Sequence, residues 1–256
     1  MVELLSVSKK NGIATVTIDN PPMNVLSQQV TKELDIVFRQ LQEDNEVISI
    51  ILTGAGDRAF MAGADIKEFP ERDVKKGDEI DIHAVLNMIE SIPKPTIAML
   101  NGFTLGGGLE LSLTCDIRIA EDHAKIGLPE VNLGILPGGG GTQRLPRITG
   151  PSKAKEMMFT GDPLSAEEAH RLGIVNQVVP KGEGIKAAEK LASKLASQSL
   201  QALSRIKRLV NVGSELPLEE GLQMEKQLFN EVFVTEDAKE GVSAFIEKRK
   251  PVFTHK

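Results

Sequence analysis

Thr96-Ile97-Ala98-Met99-Leu100-Asn101-Gly102 runs directly into Phe103-Thr104-Leu105-Gly106-Gly107-Gly108-Leu109-Glu110. The apolar run at 96–100 reads as a buried strand, and Asn101-Gly102 is a turn dipeptide that closes it. Three glycines then open a helical pattern, Leu109–Cys115. Strand, glycine turn and helix in succession point to an α/β class with parallel strand pairing.

The same alternation extends in both directions. Ile13–Ile18 and Ile48–Leu52 read as strands, the first followed by a turn at Asn20–Pro22 and the second by the turn-like Gly54–Asp57. Between them Ser27 is placed to cap a helix whose apolar residues Val30, Leu34, Val37 and Leu41 recur at helical spacing. A polar helical stretch is expected around Val74–Ile92, and further short strands at Ile117–Ala120 and Ile174–Val179. Ser165 and Glu168 form a capping box for a helix that Gly173 stops. Beyond Pro180 four helical patterns follow without an intervening strand: Ile185–Leu195, Ala202–Val212, Leu216–Phe229 and Ala238–Lys248.

Composition narrows the function classes. The chain carries a net charge of −6 and has no Trp or Tyr, a poor endowment for gripping phosphate backbones or stacking bases. Neither nucleic acid nor a membrane is an expected partner, since no run of about 18 apolar residues exists and no signal-peptide pattern opens the chain. The lone Cys115, set in an apolar run, reads as a buried structural thiol in a reducing, cytoplasmic setting. His83, His123, His170 and His255 are dispersed without metal-ligand spacing, so no metal site is expected.

The glycine clusters, 106–108 and 138–141, are not phosphate loops of the familiar kinds. No Gly-Lys-Ser/Thr follows either one, and Leu111 stands where a dinucleotide fingerprint needs its third glycine. A serine-nucleophile elbow is absent as well. Taken alone, each cluster reads first as a tight turn. At a helix start, however, glycines bring backbone amides close to a bound group, which suits a carbonyl oxygen gaining negative charge. Ala62-Gly63-Ala64-Asp65 is a candidate second donor for such a hole. Glu110 falls in the first turn of the glycine-led helix and Glu130 sits among apolar neighbours. Each, read singly, is more simply a structural carboxylate than a proton carrier.

At these residues the chain resembles the crotonase, or enoyl-CoA hydratase/isomerase, family along essentially its full length. The anchors are Ala59 to Glu68, Asn101-Gly102 with Gly106 to Glu110, Pro129-Glu130, Pro137 to Leu145, Thr160-Gly161-Asp162 and Glu240 to Lys250. Met61 is a minor departure, at a position often held by a smaller residue. The resemblance implies a crotonase-like spiral of ββα turns over 1–190, and a C-terminal helical region, 191–256, that builds trimers or dimers of trimers. It implies an oxyanion hole from the amides of Ala64 and Gly107, with Glu110 activating water, Glu130 protonating the α-carbon and Gly138 helping to hold the water. Ala62, Ala64, Asp65, Ile66 and Lys67 would line the coenzyme A site, with Phe245 and Lys248 reaching in from a neighbouring subunit. The implied activity is hydration of trans-2-enoyl-CoA in fatty or branched acyl-CoA breakdown, with coenzyme A as part of the substrate and no separate cofactor. A Δ3,Δ2-enoyl-CoA isomerase, a methylglutaconyl-CoA hydratase and a non-catalytic RNA-associated relative are the alternatives.

Overall fold

The computed structural model describes residues 2–71 and 80–255. It opens on a hairpin, β1 (Leu5–Lys10) and β2 (Ile13–Ile18), around Asn11-Gly12. Both turn residues adopt positive φ, 51° and 76°, the conformation that two-residue hairpin loops favour. Then come α1 (Gln28–Glu43), β3 (Ser49–Gly54), β4 (Ala59–Ala62), α2 (Ile82–Ser91), β5 (Thr96–Leu100) and β6 (Phe103–Leu105). The chain continues through α3 (Gly107–Leu113), β7 (Ile117–Glu121), β8 (Lys125–Gly127), α4 (Gly141–Thr149), α5 (Pro151–Thr160) and β9 (Leu164–Ser165). It ends with α6 (Ala166–Arg171), β10 (Gln177–Val179), α7 (Gly184–Ala196), α8 (Leu200–Gly213), α9 (Leu218–Phe233) and α10 (Glu236–Ile246).

The strands form two sheets, ordered β1-β2-β3-β5-β7-β10 and β4-β6-β8-β9. All neighbours in the first are parallel except β1 with β2, and all in the second except β8 with β9. Consecutive strands alternate between the sheets: β3 then β4, β5 then β6, β7 then β8. The chain therefore winds as a spiral of ββα turns, as the resemblance implies.

Local chemistry explains several elements. Ser27 caps α1 by accepting the Val30 N–H, and the expected capping box at Ser165 and Glu168 closes the start of α6. The expected helix around Val74–Ile92 is described only from residue 80 onward. Within that part α2 starts where Asp81 accepts the His83 N–H, while 72–79 lie outside the described residues. The expected strand Ile174–Val179 is shorter, because Ile174 and Val175 still bond back to Ala169 at the end of α6.

Every residue of α3 is buried, Glu110 included. A helix with no solvent face belongs to the core, so a carboxylate there needs a specific reason. On the far side of the large sheet, Ala188 and Ala192 of α7 pack against Ile51, Ile97, Met99 and Ile119. The 190/191 boundary thus falls within a helix that is bound to the sheet. Beyond α7 the helices contribute few buried apolar residues. Leu218, Phe229, Phe233 and Phe245 are all exposed on them, Phe245 by 85%.

Candidate active site

The small sheet builds the site at the carboxyl ends of its parallel strands. Ala62 of β4 pairs with Leu105 of β6, and Leu105 pairs with Gly127 of β8. Just beyond these pairs Gly107 lies close to Ala64, and the Glu130 carboxyl lies against Gly106. A Cβ placed on Gly107 would stand 3.8 Å from the Ala64 nitrogen. The bridge between Leu26 and Ala64 uses the Gly63 carbonyl and the Asp65 N–H, so the N–H of Ala64 itself points away from Leu26. Gly107 is the first residue of α3, where a helical N–H has no partner within the helix. The Gly107 N–H is thus free of a helical partner and lies close to the Ala64 nitrogen.

A cavity of about 460 Å³ opens at this spot, lined by Ala64, Gly107, Glu110, Glu130 and Gly138 among others. Ala62, Asp65 and Ile66 also line it. Lys67 is exposed and lies outside the lining, as do Phe245 and Lys248 at the end of the chain. The structure thus brings Glu110, Glu130, Ala64, Gly107 and Gly138 together and leaves Phe245 and Lys248 apart from them within one subunit. Apolar Leu26, Phe69, Ile82, Ile135 and Leu136 supply much of the remaining wall, a composition suited to an acyl chain.

The two carboxyls live in different surroundings. Glu110 is 3% exposed, and its Oε1 accepts the N–H groups of Gly139 and Gly141, each at 2.7 Å. Burial raises its pKa, while those two amides, His83 and Arg144 pull it back. For Glu130, burial, reinforced by the neighbouring Glu110 carboxylate, pushes the carboxyl up to about 7. Its Oε2 is buried without a hydrogen-bond partner among the described residues, which favours the neutral acid. One carboxyl is thus supported as an anion and the other as an acid near neutral pH, the arrangement that separates base from acid.

Gly139 and Gly141 were not evident from the sequence, where Gly138 was the candidate of its cluster. Gly138 is exposed at the cavity wall, and its neighbours hold the carboxylate. Spacing alone could have suggested this, because a glycine run that starts a helix offers several amides in one direction.

Comparison with known proteins places these features in a family. The family model for enoyl-CoA hydratase/isomerase matches residues 8–256. The short-chain-enoyl-CoA hydratase of Clostridium acetobutylicum is 43% identical over 95% of both chains. The crotonyl-CoA hydratase of Syntrophomonas wolfei is 40% identical over 99% of both. Among solved structures, an enoyl-CoA hydratase from Bacillus anthracis superposes with a TM-score of 0.95 at 40% identity, covering 99% of this chain and all of that one. With its ββα spiral and its full-length match, the chain belongs to the enoyl-CoA hydratase/isomerase family.

Proposed function

We infer that this chain is an enoyl-CoA hydratase, adding water reversibly to trans-2-enoyl-CoA to give 3-hydroxyacyl-CoA. The observation that carries the reading is one buried and one half-buried carboxyl, Glu110 and Glu130, lining a single cavity beside the backbone of Ala64 and Gly107. In this scheme the amides hold the thioester carbonyl and Glu110, ionised, takes a proton from water. The hydroxide adds to the β-carbon as the double-bond electrons move onto the carbonyl oxygen. Collapse of that enolate draws the Glu130 proton onto the α-carbon, and the proton taken up by Glu110 returns through solvent to Glu130 before the next turnover. Water is consumed whole, with no net change in oxidation, so the scheme calls for no redox cofactor or metal, and coenzyme A enters only as part of the substrate.

Gly138, exposed beside Glu110, is suited to hold the attacking water, while Ala62, Asp65 and Ile66 are suited to the coenzyme A arm. A homo-oligomer, a trimer or a pair of trimers, would cover the exposed apolar residues of α8–α10. It would also let Phe245 and Lys248 reach a neighbour's site. No described helix is long and apolar enough to cross a membrane, and a reducing cytoplasmic setting agrees with the buried Cys115 thiol, pushed by burial up to about 12.

Loss of the enoyl thioester absorbance of crotonyl-CoA tests the reading. Glu110→Gln and Glu130→Gln are each expected to lower kcat by roughly 10²–10⁴-fold. Two variants near wild type would remove both residues from the chemistry. Turnover of a 3-enoyl-CoA without uptake of oxygen from heavy-oxygen water would favour the isomerase instead.

A further inference from the structure

Arg144 lies one turn into α4, outside the cavity lining, with its guanidinium directed at the loop that holds Glu110. Its Nη1 donates to the carbonyl of Gly139 at 3.2 Å, and its backbone N–H donates to the carbonyl of Gly140 at 2.9 Å. The same residue thus grips two successive peptides of the loop whose flanking amides, Gly139 and Gly141, bind the Glu110 carboxylate. Gly140 has φ +101°, and a Cβ there would collide with Nη1. A side chain at 140 would therefore strain the backbone and displace the guanidinium.

The other side of Arg144 is fixed as firmly. Its Nε and Nη2 fork onto the Glu90 carboxylate, the shorter contact 2.7 Å, and Nη2 also donates to the Asn87 side chain at 2.8 Å. The Arg144 side chain is only 14% exposed. A bidentate fork fixes a guanidinium in orientation as well as place. Both acceptors belong to α2, so the chain of contacts runs from α2 through Arg144 to the glycine loop and on to Glu110.

We propose that Arg144, clamped by Glu90 and Asn87, is a positioning residue that holds the 138–141 loop in the shape that aims Glu110 at its water. This rests on the hydratase reading for its catalytic consequence, though not for the geometry. A carboxylate held by two amides on a mobile glycine run would wander; the clamp removes that freedom, and misplacement of a base by about 1 Å can cost roughly 10²-fold in rate.

The charged groups facing Glu110 are Arg144 from α4, His83 from the start of α2, and Glu130 across the cavity. Arg144 favours the ionised form of Glu110, so its removal raises that pKa. A base that must be ionised then fails at a higher pH, and the acid limb of the rate profile moves upward.

The test compares Arg144→Met, Arg144→Lys and Glu90→Gln in the full chain, with crotonyl-CoA as substrate. Arg144→Met and Glu90→Gln are expected to unfold within a few degrees of wild type and to exchange amide hydrogens faster over 136–145. They should lose roughly 10–100-fold in kcat with KM changed less than about threefold. The acid limb should move to higher pH in Arg144→Met. Arg144→Lys, which keeps the charge and loses the fork, should restore the limb but only part of kcat. Wild-type kcat together with wild-type exchange in all three variants overturns the proposal. So does a loss of kcat that merely tracks a fall in unfolding temperature and faster exchange throughout α3 and α4. Wild-type protein inert on every enoyl thioester would sink the hydratase reading alone, and faster exchange confined to 136–145 would still uphold the clamp.

Discussion

A Cβ on Gly106 would stand 2.8 Å from Oε1 of Glu130. The glycine also holds φ +53° and donates its N–H to the Gly127 carbonyl at 2.9 Å. Gly106→Ala is therefore expected to strain the turn by about 1–3 kcal/mol and to push the Glu130 carboxyl out of place. Thermal unfolding should fall modestly while hydration of crotonyl-CoA falls far more, a split that a purely structural glycine would not produce.

Glu130, as the proposed acid, is expected to set the alkaline side of the pH profile. With its carboxyl pushed up to about 7, the acid form that delivers the proton is lost as pH rises through that value. Hydration at low substrate should decline above about pH 7, and Glu130→Gln should abolish that limb along with most of the rate.

The same shift predicts a stability effect of defined sign. A carboxyl whose folded pKa lies above its unfolded value of 4.5 favours folding at low pH, and that contribution is lost as pH rises towards about 7. Glu130→Gln, which cannot ionise, should raise the unfolding temperature relative to wild type at pH 8 and much less at pH 5. Scanning calorimetry at both values reads the difference.

Ala64→Pro deletes the N–H proposed for the oxyanion hole while leaving the bridge to Leu26, which uses Gly63 and Asp65. Removing one donor of an oxyanion hole costs roughly 10²–10³-fold in kcat. A variant that folds normally and retains wild-type kcat would exclude this amide from the reaction.

Asn101 tests the scaffold rather than the chemistry. Its buried side chain donates to the carbonyls of Gly54 and Gly56, each at 2.8 Å, and accepts the Gly54 N–H at 3.3 Å. Asn101→Ala strands those groups, at about 1–3 kcal/mol for each buried one left unpaired. Chemical denaturation should show a loss of several kcal/mol.

Asn101 also illustrates how far the sequence could be read. With Gly102 it has the composition of a turn, and nothing in that dipeptide reveals that its amide ties β5 to the end of β3. The apolar strands of the large sheet were legible because burial on both faces demands unbroken apolar runs. β4, β6 and β8, three or four residues each, are too short to carry a period, and the small sheet went unseen from periodicity alone. Asn11-Gly12 was a hairpin signal of the usual kind, yet β1 is exposed along most of its length and lacks the apolar pattern that would have paired it with β2. Glu110 and Glu130 were visible as residue types, and the family resemblance implied their pairing. The glycine run at 138–141 signals a cluster of amides at a helix start, but which of them bind Glu110 is fixed only by the fold, since every residue but proline offers an N–H.

The pairing of Ala62 with Leu105 gives the candidate oxyanion hole an unusual kind of robustness. Its two donors lie just past the ends of neighbouring strands, the rails of one ladder, whose separation is the ordinary spacing of hydrogen-bonded strands, roughly 4.8 Å. Side-chain replacements along β4 or β6 can erode packing without altering that gauge. A single-residue insertion or deletion in either strand is another matter: it advances one rail by a step, turns the inward N–H outward and presents a carbonyl in its place. Divergence in this region should therefore be written in substitutions, with changes of length confined to the connections on the opposite side of the spiral.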